Sequence, residues 1–362
     1  MRLRIGIDAH VITGKYQGTR TTLTSLLRAL ARQEIAHEII VYTDDPDAAN
    51  AAIGSSNFTY VALGHSGSIK RLLRVFPRLL RRDTIDVAVF QYNAPLVGRT
   101  KRVVFIHDIL PMTHPQFFPF VNRMRVWLFY SLSVLRATMV VAVSDYTRRM
   151  VEIYYKLPSG RVRTVLNGPS FSEDTYAGVY EPVEPRYILT VGRIEERKNI
   201  ELLVNAFCKA NVPELRLIVV GAPDLGFAYR FPINDPRIEN RIGIEETELI
   251  NLYRGASLFI YPSAAEGFGI PLLDALLFGI PTISSDQTAM REIATDVAEL
   301  FDPNEPDAAE ALTAKIVRHF GICPIIAPTK EQRSVLSERF SWDRAAIDFI
   351  TVVEAAAGSH TL

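Results

Sequence analysis

The feature that most constrains this chain is a series of short apolar runs of strand length with helical patterns between them. Leu3–Ile7, Ile39–Tyr42, Val87–Phe90, Val103–Ile106, Met139–Val143 and Val162–Leu166 lie in the first half. Tyr187–Val191, Leu215–Val220, Leu258–Tyr261 and Thr282–Ser284 lie in the second. A strand with one wet face alternates apolar and polar residues, whereas a Val- and Ile-rich run without alternation is covered on both faces. Such runs separated by helices predict an α/β fold, doubly wound with a parallel sheet, twice over. The stretch from Asn167-Gly168-Pro169 to Glu181-Pro182-Val183-Glu184-Pro185 has neither periodicity and reads as an interdomain linker. A chain of 362 residues that is 48% hydrophobic is long and apolar enough for two such cores.

Several classes are excluded early. Cys208 and Cys323 are the only cysteines, too few for a disulfide framework and without metal-ligand spacing, so a reducing compartment is expected. The run from Met1 to Ile7 meets Asp8 and is too short for the apolar core of a signal peptide, which places the expected protein in the cytoplasm. Val126 to Val143 approaches spanning length but contains Arg136 and turns β-branched after Ala137-Thr138, so it reads as a helix followed by a strand. Net charge is zero, yet residues 1–167 carry 23 basic and 11 acidic side chains while residues 168–362 carry 17 and 29. That asymmetry points to halves with different partners.

The richest motif is Glu266-Gly267-Phe268-Gly269-Ile270-Pro271-Leu272-Leu273-Asp274, directly after an expected strand. Pro271 suits the first turn of a helix, so the backbone N–H groups of Phe268, Gly269 and Ile270 would converge at its positive end and cradle an anion or hydroxyl. Asp274, one turn in, is expected to face the same ligand as Glu266. A second cluster, Gly192-Arg193-Ile194-Glu195-Glu196-Arg197-Lys198-Asn199, leaves the carboxyl end of the strand Tyr187–Val191, the edge where open α/β sheets bind ligands. Arg193 and Lys198 there suit a diphosphate, while Glu195, Glu196 and Arg197 read equally as a solvated helix entrance.

In the first half, Gly14 and Gly18 flank a loop after the first strand, without the spacing of a dinucleotide fingerprint, which disfavours a nicotinamide cofactor. His107-Asp108 closes the strand Val103–Ile106. Asp44-Asp45-Pro46-Asp47 holds adjacent acids, but its proline marks a solvated turn rather than a metal site. Ser68 to Arg82 carries six cations and no acid in an amphipathic pattern, interrupted by Pro77, which is expected to kink or break the helix. Its apolar residues Leu72, Leu73, Val75, Phe76, Leu79 and Leu80 read either as shallow insertion into an anionic membrane surface or, equally, as one face of a basic surface helix with no membrane role.

Together these motifs resemble the retaining family-4 glycosyltransferases of the GT-B fold, which include mannosyltransferases of polysaccharide and glycolipid synthesis. The resemblance runs over nearly the whole chain and rests also on Ser144-Asp145, Val165-Leu166-Asn167-Gly168 and Gly279-Ile280-Pro281-Thr282-Ile283 with Glu292. It implies two Rossmann-like domains facing across a cleft: an acceptor-binding domain at 1–170, a nucleotide-sugar-binding domain at 171–340, and a C-terminal helix at 341–362 packing back on the first. Residues with implied catalytic roles are His107, Arg193, Lys198 and Glu266. Gly18, Phe268, Gly269, Ile270 and Asp274 are implied to bind the donor. The family's second acid is usually Glu, and Asp274 stands in its place.

The implied reaction moves a hexose, mannose from GDP-mannose, to a glycan or polyprenyl-diphosphate-linked acceptor, with UDP-glucose and related donors as alternatives. No metal, no other cofactor and no nucleic acid are expected, and the protein is expected on the inner face of the cell membrane if it is peripheral at all. Competing readings are a nucleotide-sugar epimerase of the same fold and a non-catalytic nucleotide-sugar-binding protein.

Overall fold

Two parallel sheets take up the apolar runs. The computed structural model describes residues 2–13, 18–64, 67–178, 180–224 and 235–358. The first sheet contains β1 (Arg4–Asp8), β2 (Glu38–Thr43), β3 (Thr59–Ala62), β4 (Val87–Gln91), β5 (Lys101–Ile106), β6 (Met139–Ala142) and β7 (Val162–Thr164). They lie in the order β3-β2-β1-β4-β5-β6-β7, every pair parallel. The second contains β8 (Tyr187–Val191), β9 (Arg216–Val220), β10 (Ile238–Arg241), β11 (Leu258–Tyr261), β12 (Thr282–Ser285) and β13 (Glu299–Phe301). Their order is β10-β9-β8-β11-β12-β13, again all parallel. Each order reverses direction once, between β1 and β4 and between β8 and β11, and ligands of doubly wound sheets bind outside the strand ends at such points.

The chain divides into a unit of Met1–Gly168 with Phe340–Leu362 and a unit of Pro169–Arg339. The helix Trp342–Gly358 belongs to the first unit. Its Phe349 ring lies 5.9 Å from that of Phe105, Asp343 pairs with Arg32 at 2.7 Å, and Ser341 Oγ accepts from the Asp343 N–H. At the heart of this unit Phe76 meets Tyr42 and Phe90 edge-on, at 5.9 and 5.1 Å.

Two expectations need correction here. Residues 169–185 are docked on the second unit rather than free: Tyr180 Oη donates to Ala256 O, and the Glu181 and Val183 N–H groups donate to Arg254 O and Gly255 O. The basic segment is also not an insertion helix along its whole length. Phe76 and Leu80 are fully buried, and Leu72, Val75 and Leu79 pack on the same core, leaving Leu73 and Ile69 as its exposed large apolar side chains. Pro77 does not break it. A π-helical turn at Arg71–Val75 runs into the α-helix Phe76–Arg82, and the wider turn removes the clash that a proline ring makes with the carbonyl four residues back.

Asp45 is a helix cap. Its Oδ1 accepts from the Ala48 N–H at 3.0 Å and opens the helix Pro46–Ile53, so the Asp-rich turn serves backbone donors. Among the described residues, no group of three or more His, Cys, Asp or Glu side chains is placed to hold a metal ion. No described helix is long and apolar enough to cross a membrane.

Candidate active site

The second unit gathers a buried ionic cluster at the carboxyl ends of β8 and β11. After β8 the chain passes Gly192 and Arg193 and forms a single 3-10 turn at Glu196–Lys198, which turns Lys198 inward. After β11 it runs to Glu266. The Glu266 carboxylate receives Arg197 Nη1 at 2.8 Å on one oxygen, and Lys198 Nζ together with Tyr261 Oη on the other. Lys198 also donates to Tyr261 Oη at 3.0 Å and is 8% exposed. Burial works to raise the Glu266 carboxyl, but Arg197 and then Lys198 hold it down at about 2, so it is ionised. Burial lowers Lys198 from its ordinary value, against the opposing pull of Glu266.

By sequence Arg197 reads equally as a site cation or as part of a solvated helix entrance. The structure places it in the site: its side chain is 18% exposed and it bridges Glu195, Glu266 and the Ala265 carbonyl. Its own carbonyl accepts from the Ala264 N–H, so one residue ties the two loops together. The cations are therefore neutralised in place rather than unpaired. Arg193 stands apart, 41% exposed and paired with Asp224 at 3.3 Å, which leaves it free to turn toward a ligand.

Beside this cluster the helix Ile270–Phe278 begins at Gly269, whose φ of 123° suits glycine, with Pro271 in the first turn. No side chain caps this end. The first-turn backbone N–H groups of this helix thus have no side-chain cap, and Phe268 is buried next to them.

Asp274 does not share a ligand face with Glu266. Its two oxygens accept from Ser170 N–H at 2.8 Å, Ser170 Oγ at 2.6 Å and Tyr176 Oη at 2.6 Å, and it is 2% exposed. The shorter arm is occupied in fastening residues 170–176 to the second unit, which corrects the expectation of a donor contact. Burial pushes its carboxyl up to about 6, against the hydrogen bonds from Ser170 and Tyr176. Because this lies above the ordinary 3.8, the folded state holds the proton more tightly than the unfolded chain does. The group's contribution to stability is therefore complete below about pH 4, falls as pH rises toward 6 and is constant above. Asp274→Asn should remove about 3 kcal/mol of that decline, read as the difference between urea unfolding at pH 4 and pH 7. Equal declines in both proteins would refute the assignment.

In the first unit His107 follows β5 and is buried. Its Nε2 donates to Gln91 Oε1 at 2.7 Å, its ring lies 5.1 Å from that of Tyr92, and burial holds it down at about 4. The imidazole is therefore neutral, with a lone pair on Nδ1. Gln91, at the end of β4, had no signal of its own in the sequence. Gly18 heads the helix Gly18–Arg32 with open space where a side chain would be, while Gly14 to Gln17 lie outside the described residues. Ser144 caps the helix Asp145–Tyr155 by accepting from the Thr147 N–H, as its motif implies.

Comparison with known proteins bears on these two units. Residues 174–319 match the family model of glycosyl transferases group 1, and residues 16–170 match that of glycosyltransferase family 4. The O-antigen chain mannosyltransferase B of Escherichia coli is 28% identical over 64% of this chain and 65% of its own length. The O-antigen chain mannosyltransferase RfbU of Salmonella typhimurium is 24% identical over 60% and 61%. The matched stretch thus spans less than two thirds of these relatives. Among solved structures, the sucrose-phosphate synthase of Thermosynechococcus elongatus superposes with a TM-score of 0.76 at 18% identity, covering 98% of this chain and 99% of that one. With both halves matched by glycosyltransferase models and both sheets of the expected topology, the chain belongs to the family-4 glycosyltransferases of the GT-B fold.

Proposed function

We propose that this protein is a retaining, metal-independent hexosyltransferase that moves mannose from GDP-mannose to a lipid-linked or cell-surface polysaccharide precursor. The observation that carries this is the Arg197–Lys198–Glu266 cluster beside the uncapped start of the helix Ile270–Phe278. Breaking a sugar–phosphate bond leaves charge on the diphosphate, and a buried cation, a swinging Arg193 and a helix N-terminus stabilise that charge where it develops. Lys198 passes from Glu266 to the phosphate, and Glu266, still held by Arg197, is released to accept from sugar hydroxyls. This mechanism uses no carboxylate of the described residues as a covalent nucleophile. The leaving oxygen then takes the acceptor's proton on the same face, and configuration is retained. His107 orients the sugar through Nδ1. The mannosyltransferase relatives support mannose as the transferred sugar.

A thermal-shift screen tests the donor. GDP-mannose should raise the melting temperature more than UDP-glucose, since preferential binding stabilises the fold. Donor turnover, assayed with and without acceptor, should persist in excess chelator. A stronger shift with UDP sugars would overturn the donor, and a strict divalent requirement the metal-free mechanism.

The acceptor end is proposed to meet an anionic membrane. A groove of about 920 Å³ in the first unit is walled by Ile69, Leu73, Val126 and Phe129 and flanked by Lys70 and Arg125. The neighbouring helix Phe120–Arg136 has no acidic residue and exposes Phe120, Val121, Met124, Trp127 and Leu128. Insertion therefore falls to this helix, and attraction to the basic segment. Four usable cations supply about 4 kcal/mol before salt screening. Co-sedimentation with vesicles should require anionic lipid, weaken as salt rises and fall when Arg71, Arg74, Arg78 and Arg81 become Gln. Equal binding to neutral vesicles would favour a soluble acceptor.

A further inference from the structure

Asp8 ends β1, an interior strand of the first sheet, and is 2% exposed. Its Oδ1 lies 2.7 Å from His10 Nδ1 and also accepts the His10 backbone N–H at 3.2 Å. A carboxylate can only accept, so Nδ1 carries a proton, and in the neutral ring the lone pair is then on Nε2. That nitrogen has no hydrogen-bond partner among the described residues, and the His10 side chain is 24% exposed. An imidazole held on one side by a buried acid, with its other nitrogen unpartnered among the described residues, is in its neutral form an oriented acceptor.

Its place in the fold says what it would meet. β1 and β4 are the two strands between which the sheet order reverses, so His10 stands at the ligand-binding edge of the first unit. Across that reversal, β4 is followed by Asn93, whose Oδ1 is buried and also lacks a partner among the described residues. Two acceptors just past the carboxyl ends of β1 and β4, both without a partner among the described residues, suit a ligand rich in hydroxyl donors.

We propose that His10, held by Asp8, binds the acceptor sugar by accepting a hydrogen bond at Nε2 from one of its non-reacting hydroxyls. Asp8 is a positioning residue. The inference rests on the glycosyltransferase reading only in naming the sugar as acceptor, since the reacting hydroxyl's proton still leaves on the diphosphate. It gives the first unit a specificity-determining contact independent of His107.

Ring nitrogen NMR on the full chain tests it, with His10→Asn assigning the His10 signal among the seven histidines. In the wild type His10 should show a protonated Nδ1 and a bare Nε2. The Nε2 resonance should move on titration with at least one of the methyl glycosides of mannose, glucose, galactose and N-acetylglucosamine. Asp8→Asn, whose amide donates to Nδ1, should shift the proton to Nε2 and abolish the response. With GDP-mannose as donor and the responding glycoside as acceptor, His10→Asn should lower the ratio of transfer to donor hydrolysis about tenfold, the worth of one such hydrogen bond. Asp8→Asn should do the same, and the double variant no more. A proton on Nε2 in the wild type, no movement with any glycoside, or a fall in transfer and hydrolysis together would each overturn the proposal. A wild type that turns over no nucleotide sugar while His10 still responds to a glycoside would instead overturn the reading of function.

Discussion

Lys198→Ala should lower donor turnover by about 100-fold or more, the usual cost of removing one preorganised group that stabilises developing charge. The protein should stay folded. Removing one partner of a buried ion pair ordinarily destabilises by about 3–5 kcal/mol because the other charge is stranded, but Glu266 keeps Arg197 at 2.8 Å. Arg193→Ala should lose turnover by a similar factor with no loss of stability, since its partner Asp224 is nearly half exposed and simply rehydrates. The measurements are steady-state turnover and chemical unfolding on both variants. Turnover within tenfold of wild type in both would sink the assignment of the cluster as the diphosphate site.

Gly221→Ala should destabilise the second unit by about 3 kcal/mol or more and abolish donor binding with it. A Cβ at Gly221 would lie 2.0 Å from the carbonyl oxygen of Gly192, and φ there is 154°. The two backbones cannot part cheaply. Gly192 N–H bonds Val220 O, Gly221 N–H bonds Arg241 O, and Ile194 N–H bonds Ala222 O, each at 2.9 Å. The displaced peptide is the one that aims Arg193, so fold and site fail together. Gly67→Ala is the control: φ is −60° and no atom lies within 4 Å, so it should cost no more than about 1 kcal/mol as a helix-cap change. Equal melting temperatures for the two variants would show that the close approach of β8 and β9 is not required.

The pairing of a functional loop with a steric requirement explains which parts of the site were legible. Gly192, Lys198, Glu266 and Gly269 stand where strands end and helices begin, and strand ends can be read from where an apolar run stops. Their residue types already specify the local chemistry. The roles of Arg197 and Asp274 are not legible from their neighbours, because their partners, Glu266 and Ser170, are 69 and 104 residues away. An acid next to a motif is a donor ligand or a structural anchor according to which side chain reaches it first, and only packing decides that. The Asp8–His10 pair is the opposite case: two residues apart, and still without meaning until the strand order put β1 beside the reversal.

The same division runs through the fold. The ten apolar runs all became strands, because burial on both faces demands an unbroken apolar stretch that no other element of that length needs. The three strands with no such run, β3, β10 and β13, are all at sheet edges, where one side has no neighbour and polar residues such as Glu239 and Asn240 are tolerated. For the basic segment, sequence determined the charge and the helical repeat. Tertiary structure decided that Phe76 and Leu80 belong to the core, since an apolar stripe is buried by whichever surface lies closest, and here the sheet lies closer than any membrane. Sequence alone thus determined what alternates, what repeats and what each side chain can do chemically, all local properties of the chain. Which buried charge found which partner was decided only in three dimensions, because the energy of an ion pair depends on distance and desolvation, and neither is a property of a position in the sequence.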